Sequence, residues 1–309
     1  MTDQTDMATS SAMADRQNIA IGMVLVLLSA LAWSTSGIFA RIVPVDIWTV
    51  LAWRSLFGCL SIVALAMIER RRLAFDWQRA FTSAGIAMML LNATGMTAFV
   101  YALQNTTIAN VTVIYATLPF ITAILAWLWF RERAKRRTII GSVVAGAGVA
   151  ITMGGTIAIG GASHLLGDLA ALYLTVSFAF MTVIMRRYRE TPMLESVGMA
   201  CLLMAVITMF VGEPFTLSIG QISWLAAFGI VTQGGGLGIY TMGARRLPSA
   251  QAALLSASEV PLSPLWVWIF FDEVPATETF LGGTLVLGAI LWNIGAELRA
   301  SVPAGAPAP

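Results

Sequence analysis

Two ionisable side chains lie deep inside apolar stretches of this 309-residue chain, and they have the most chemistry to offer. Glu259 stands ten residues into the stretch 249–271, and Arg54 seven residues into the stretch 47–68. An ionisable group at mid-depth in a bilayer costs about 2.5 to 3.5 kcal/mol on permissive insertion scales, so it marks a function or a built partner. A carboxyl at Glu259 can exchange a proton as its surroundings alternate between dry and wet. It can also hold a substrate ammonium group, or bond a neighbouring helix as a purely structural group. Arg54 lies about 10 Å from the outer end of its helix at a rise of about 1.5 Å per residue. Its guanidinium can grip a carboxylate through two parallel hydrogen bonds, neutralise Glu259, or snorkel toward lipid headgroups.

Neutral groups form a second tier. Asn92 and Gln233 stand 141 residues apart, at matching places in a repeat described below. Two such amides can orient a small polar ligand, or serve as interhelical hydrogen bonds worth about 0.6 kcal/mol each. Trp33, Phe99, Tyr115, Tyr173 and Tyr240 lie within apolar stretches and not at the interfacial belts where aromatics collect. They can line a cavity and offer apolar or cation–π contact, or simply pack and face lipid. Gly234, Gly235 and Gly236 follow Gln233 directly, and each weakens a helix by about 1 kcal/mol relative to Ala. Because packing needs glycine on only one helical face, this run is expected to be a hinge or a helix break beside a binding site.

Other chemistries find no support. Cys59 and Cys201 lie inside apolar stretches without metal-ligand or disulfide spacing and read as small core residues. His164, the single histidine, falls in a connecting loop. There is no phosphate-cradling GxxxxGK[ST] segment and no nucleophilic constellation, so no cofactor, metal, nucleic acid or enzymatic activity is expected.

The elements that position these residues are membrane helices. Hydrophobic residues make up 58% of the chain, charged residues 11%, and the mean hydropathy is +0.81, against about 25% charged residues in soluble domains. A spanning helix needs about 20 apolar residues. Ten stretches qualify: 19–40, 47–68, 81–103, 106–130, 138–156, 166–185, 195–212, 222–243, 249–271 and 278–297. The expected fold is all-α and integral to the membrane, with a disordered cytoplasmic N-terminus over 1–18. A first five-helix repeat covers 19–156, a second, inverted one covers 157–298, and a disordered cytoplasmic tail covers 299–309. The N-terminal residues lack the basic start of a secretory signal, so the first span is expected to be retained.

The repeat is read directly from the residues. Phe99, Ala109, Trp127, Phe130, Glu132, Thr138, Gly141 and Gly154 fall on Tyr240, Ala250, Trp268, Phe271, Glu273, Thr279, Gly282 and Gly295, with a constant shift of 141. An odd number of spans per half inserts the second half upside down, a common plan of secondary transporters. Charge agrees. With the N-terminus inside, 16 of the 18 basic residues are cytoplasmic, Arg41 alone is outside and Arg54 lies within a span. The loop RERAKRR after the fourth span is matched by DEVPATE after the ninth, so loop charge reverses where helix sequence repeats.

The run TTIANVTVIYATLPFITAILAWLWFRER, with its Glu thirteen residues after Pro119, resembles the hallmark of the drug/metabolite transporter superfamily in its ten-helix EamA-type branch. The run RRLPSAQAALLSASEVPLSPLWVWIFFDE is similar to that family's second-repeat motif, with Glu259 and Glu273 at matching spacing. One departure is visible: Val260 intervenes before Pro261, where the family commonly has proline directly after the acidic residue, which implies a helix break displaced by one position. The resemblance implies a solute transporter of the bacterial inner membrane, multi-pass with both termini cytoplasmic. Such a protein moves small amphipathic metabolites, amino acids first among them, outward by alternating access, through facilitated diffusion or proton exchange. Uptake of a vitamin, nucleoside or other metabolite is the alternative, and a membrane enzyme or sensory subunit the remote one. Its partners are then a small-molecule substrate and the lipid bilayer; the sequence sets no oligomeric state.

Overall fold

In hydrocarbon every backbone N–H and C=O must be paired within the chain, so apolar stretches of this length become helices. The computed structural model describes residues 2–43, 45–70, 77–105, 111, 114–115, 117–131, 136–153, 165–188, 193–272 and 277–301. The expectations for Ala109, Glu132, Gly154, His164 and Glu273 fall outside these residues, as does the Arg41 side chain.

Helix α1 spans Thr2–Ser34, and after a bend at Thr35 α2 spans Ser36–Ile42. Then come α3 (Ile47–Arg70), a 3-10 turn at Trp77–Phe81 and α4 (Ser83–Asn105). Next are α5 (Leu118–Phe130), α6 (Arg136–Met153), α7 (Leu165–Arg187), α8 (Leu194–Met209) and α9 (Ile219–Gly229). A π-helical segment, Ile230–Gly238, leads into α10 (Ile239–Ala244), followed by α11 (Ser249–Ser256), α12 (Glu259–Phe271) and α13 (Thr277–Ser301). No strand occurs among the described residues.

Four helical segments among the described residues are long and apolar enough to cross a bilayer: Arg16–Ser34, Ile47–Glu69, Leu166–Arg187 and Ile219–Ala244. Ser83–Phe99, Leu118–Trp129, Leu194–Met209 and Leu281–Ala296 are shorter apolar helices. The outside is apolar as well. Leu60, Ile68, Leu128 and Leu291 are each more than half exposed, a cost that water would impose and lipid does not. The protein is therefore an all-α, multi-span membrane protein.

Three expectations change. Residues 2–18, read as disordered, continue α1 without a break. Their alanine, methionine and glutamine are good helix formers, and the span nucleates the helix for them. The expected tail likewise begins as helix, because α13 runs to Ser301. The glycine run does not break its helix either: Ile219–Ala244 is continuous, and the glycines sit in a wide π turn.

The 141-residue shift reappears in the geometry. α5 and α12 are both 13 residues long and begin at positions 141 apart, Leu118 and Glu259. They end in the two non-glycine residues with positive φ among the described residues, Arg131 and Asp272, both at 54°. Such left-handed C-caps close helices by satisfying terminal carbonyls. Helix neighbours follow the same exchange. α3 packs on α8, α6 on α13, and α5 on α11, each pair joining corresponding spans of the two halves. The contact of α4 with α7 is mirrored by that of the π segment and α10 with α1.

Glycines set the closest of these approaches. A Cβ at Gly148 would stand 2.6 Å from the Gly282 carbonyl oxygen, so α6 and α13 touch backbone to backbone. Near helix ends, arginines bond across to neighbouring helices and back to their own carbonyls. Arg245 pairs with Glu69 of α3, Arg246 bonds the Met242 carbonyl, and Arg137 Nη1 donates to the Ala296 carbonyl at 3.0 Å. Burial holds the Arg246 guanidinium below its ordinary range; neighbouring Arg245 pushes the same way and Glu69 opposes.

Candidate functional site

Two helix interruptions among the described residues fall at matching positions of the repeat. Ahead of α5, Thr117 turns the chain, its N–H and its hydroxyl both donating to the Ile114 carbonyl at 3.0 and 2.6 Å. Ahead of α12, 141 residues on, the Ser258 N–H and hydroxyl donate to the Leu255 carbonyl at 3.2 and 2.8 Å. Pro119 stands in the first turn of α5, where its missing N–H costs nothing. The second copy carries its proline one residue later, yet α12 begins at the matching residue. The displaced Pro261 therefore does not displace the break: the hydroxyl-anchored turn fixes it.

Glu259 is the first residue of α12, half-buried, at the positive end of that helix's dipole. Its carboxyl hydrogen-bonds with the Tyr115 hydroxyl, from the segment just before α5. The two interruptions thus put an acid and a phenol side by side.

Around this pair gathers an aromatic group from both halves. Trp33 lies edge-on to Phe178 at 5.5 Å between ring centroids, and 5.3 Å from Tyr240. Phe178 and Tyr240 stand 5.2 Å apart, and Tyr115 reaches Phe178 at 6.1 Å. These are separations at which rings attract beyond simple burial. Tyr240 is fully buried, its hydroxyl 2.8 Å from Thr182 Oγ1. Trp33, Tyr115, Phe178 and Glu259 keep some exposure, so the assembly forms a wall and not a sealed core. At its edge Trp266 Nε1 of α12 donates to Ser34 Oγ at 2.7 Å, fixing α12 to the end of α1.

Arg54 is elsewhere. Its Nε donates to Thr232 Oγ1 at 3.2 Å, and its guanidinium carbon lies 4.8 Å over the Phe228 ring. It turns inward toward the α9–π helix, neither snorkelling nor bonding Glu259. Gln233, beside Thr232, is buried with its amide nitrogen 3.4 Å from Met96 sulfur, one turn from Asn92 on α4. The repeat-matched amides Asn92 and Gln233 are thus brought to one neighbourhood, and Asn92 Nδ2 finds no partner among the described residues.

The remaining candidates separate. Phe99, partly buried, packs against the apolar cluster of Leu51, Ala93, Met96, Ala200 and Met204. Tyr173 is 46% exposed, with its hydroxyl 2.8 Å from Thr94 Oγ1, apart from the aromatic group. The glycine run serves close packing on two sides. A Cβ at Gly234 would stand 2.5 Å from Ser61 Oγ on α3, and one at Gly236 would enter the Trp33 indole on α1. The helix is wedged between two neighbours, which is why glycine is needed on more than one face.

Phe178, Thr182, Thr232 and Phe228 were not singled out from the sequence. Phe178 carries a signal, since a weaker shift of 145 between the first and sixth spans places it on Trp33. The threonines carry none, because their roles depend on which helix lies opposite.

The EamA-like transporter family is matched twice along this chain, over residues 20–154 and again over 165–295. An uncharacterized transporter of Helicobacter pylori is 22% identical over 285 residues, covering 88% of this chain and 94% of that protein. Human solute carrier family 35 member G1 is 26% identical over 298 residues, covering 90% of this chain and 79% of its own length. A crystal structure of 18% sequence identity superposes with a TM-score of 0.73 over 93% of this chain and 99% of the other, a likeness of fold.

Proposed function

The chain belongs to the EamA-like transporter family and is a multi-span carrier of small molecules, not an enzyme, and from that premise we propose an alternating-access exporter of amphipathic metabolites, amino acids first among them. Ten spans form two inverted five-helix halves in a bacterial inner membrane, with both termini cytoplasmic. The double family match and the 141-residue recurrence of helix ends support this arrangement.

One observation carries the reading. Residues of both halves, Trp33 and Tyr115 from the first, Phe178, Tyr240 and Glu259 from the second, converge at the paired interruptions of α5 and α12. Discontinuous helices put their binding groups where two halves can rock about them. Tyr115, Trp33 and Phe178 take the apolar body of a solute. Glu259 takes its ammonium group or a coupling proton in turn, which makes transport an exchange.

The test is Glu259→Gln in proteoliposomes loaded with phenylalanine. The variant is expected to keep phenylalanine exchange and to lose accumulation driven by a pH gradient. Undiminished accumulation would reduce Glu259 to a structural carboxyl.

A further inference from the structure

We propose that Arg54 and Thr232 form an anion-recognition site that takes the carboxylate of an amphipathic solute, at a place distinct from the Glu259 cluster. The Thr232 hydroxyl gives its proton to the Phe228 carbonyl at 2.7 Å, so its oxygen is left to accept from Arg54 Nε at 3.2 Å. The Phe228 ring, 4.8 Å below, fixes the plane of the guanidinium. One edge of the group is thereby spent on positioning. Nη1 and Nη2, the edge that forms the fork, make no hydrogen bond among the described residues, and the side chain is only partly buried.

A guanidinium stays charged at any working pH, and an open one inside a membrane helix is a group awaiting a counter-ion. A carboxylate matches the fork through two parallel bonds. The surroundings define the rest of the ligand. Phe39, Trp53, Leu225 and Phe228 make the adjoining cluster apolar, which favours a carboxylate on a hydrophobic body over a small hydrated anion. Next to Thr232 in sequence, Gln233 has its amide nitrogen matched, among the described residues, by the Met96 sulfur, a weak acceptor, and Asn92 one turn away on α4 has an amide nitrogen with no partner among them.

Thr232, which holds Arg54, and Tyr240, which belongs to the aromatic group, lie on one continuous helix. Eight residues separate them, or about 12 Å at an α-helical rise of about 1.5 Å per residue, somewhat less through a π turn. A solute holding an ammonium at Glu259 is too short, if it is a simple α-amino acid, to reach Arg54 at the same time. The arginine therefore acts as a separate station on the path. This rests on the transport reading for the kind of solute, while its test does not depend on transport.

The experiment is modification of Arg54 in the intact protein by phenylglyoxal, followed by mass spectrometry of the Arg54 peptide, with 3-phenylpropionate, 3-phenylpropanamide or inorganic phosphate as protectant. Expected is modification of Arg54 that 3-phenylpropionate slows several-fold and its neutral amide does not. An unreactive Arg54, equal protection by acid and amide, or protection by phosphate alone would overturn the proposal. Phenylalanine flux without carboxylate-selective protection would leave transport standing and remove the arginine site; selective protection without flux would do the reverse.

Discussion

Among single residues, those that cost most in a membrane were the legible ones. Glu259 and Arg54 stand out in the sequence because an ionisable group among apolar neighbours is rarely idle, and both have built surroundings. What composition does not encode is the partner across the gap. Arg54 bonds Thr232 from 178 residues away, and Glu259 meets Tyr115 through a fold-level juxtaposition. The five aromatics singled out by depth alone divide for the same reason, since depth does not say which way a ring faces: Trp33, Tyr115 and Tyr240 join, Phe99 packs against another apolar cluster, and Tyr173 points outward. This division gives a stability prediction. Tyr240→Phe removes a buried hydrogen bond to Thr182 and should lower unfolding free energy by about 0.5 to 1.5 kcal/mol. Tyr173→Phe, at an exposed position, should cost less, as thermal melts of the two purified variants would register. A larger loss at Tyr173 would mean that the aromatic group is not the rigid centre.

Among elements, the helices were legible and the places where they yield were not. Apolar length located helices, four of them long enough to span, while the glycine run Gly234–Gly236, read as a hinge or a break, lies in an unbroken π-helical stretch that packs closely on α1 and α3. The actual interruptions, before α5 and α12, are made by Thr117 and Ser258, residues that look unremarkable until their hydroxyls are seen to bond back three positions. Alanine substitutions separate packing from hinge. At Gly235 a Cβ would meet Ala32 Cβ at an ordinary 3.5 Å, so Gly235→Ala should be tolerated or add up to about 1 kcal/mol. At Gly234 it would stand 2.8 Å from Ser61 Cβ, and at Gly238 2.8 Å from Leu65 Cδ1. Those two variants should therefore melt lower, by about 1 to 3 kcal/mol of overpacking strain. Equal stabilities with equal losses of transport across all three would favour a hinge over a packing surface.

For the whole molecule, the repeat was the most informative feature of the sequence, and its geometric echo in helix starts, left-handed caps and neighbour pairs explains why. On the proposed inverted arrangement, two halves that exchange roles need the same helix lengths and breaks, whereas their loops are free to carry opposite charge for opposite insertion. Orientation follows as a prediction. In whole cells, Arg136→Cys should be labelled by a membrane-impermeant maleimide only after permeabilisation, and Asp272→Cys without it. Labelling of both from one side would deny that the second half is inverted.

The most direct test of the account is counterflow in proteoliposomes: the rate at which labelled phenylalanine leaves when unlabelled phenylalanine is added outside. An alternating-access carrier must return its site across the membrane, so saturable release that speeds up with external substrate is the predicted result. Release that is linear in concentration, indifferent to the opposite side and equal to that of protein-free vesicles would contradict it.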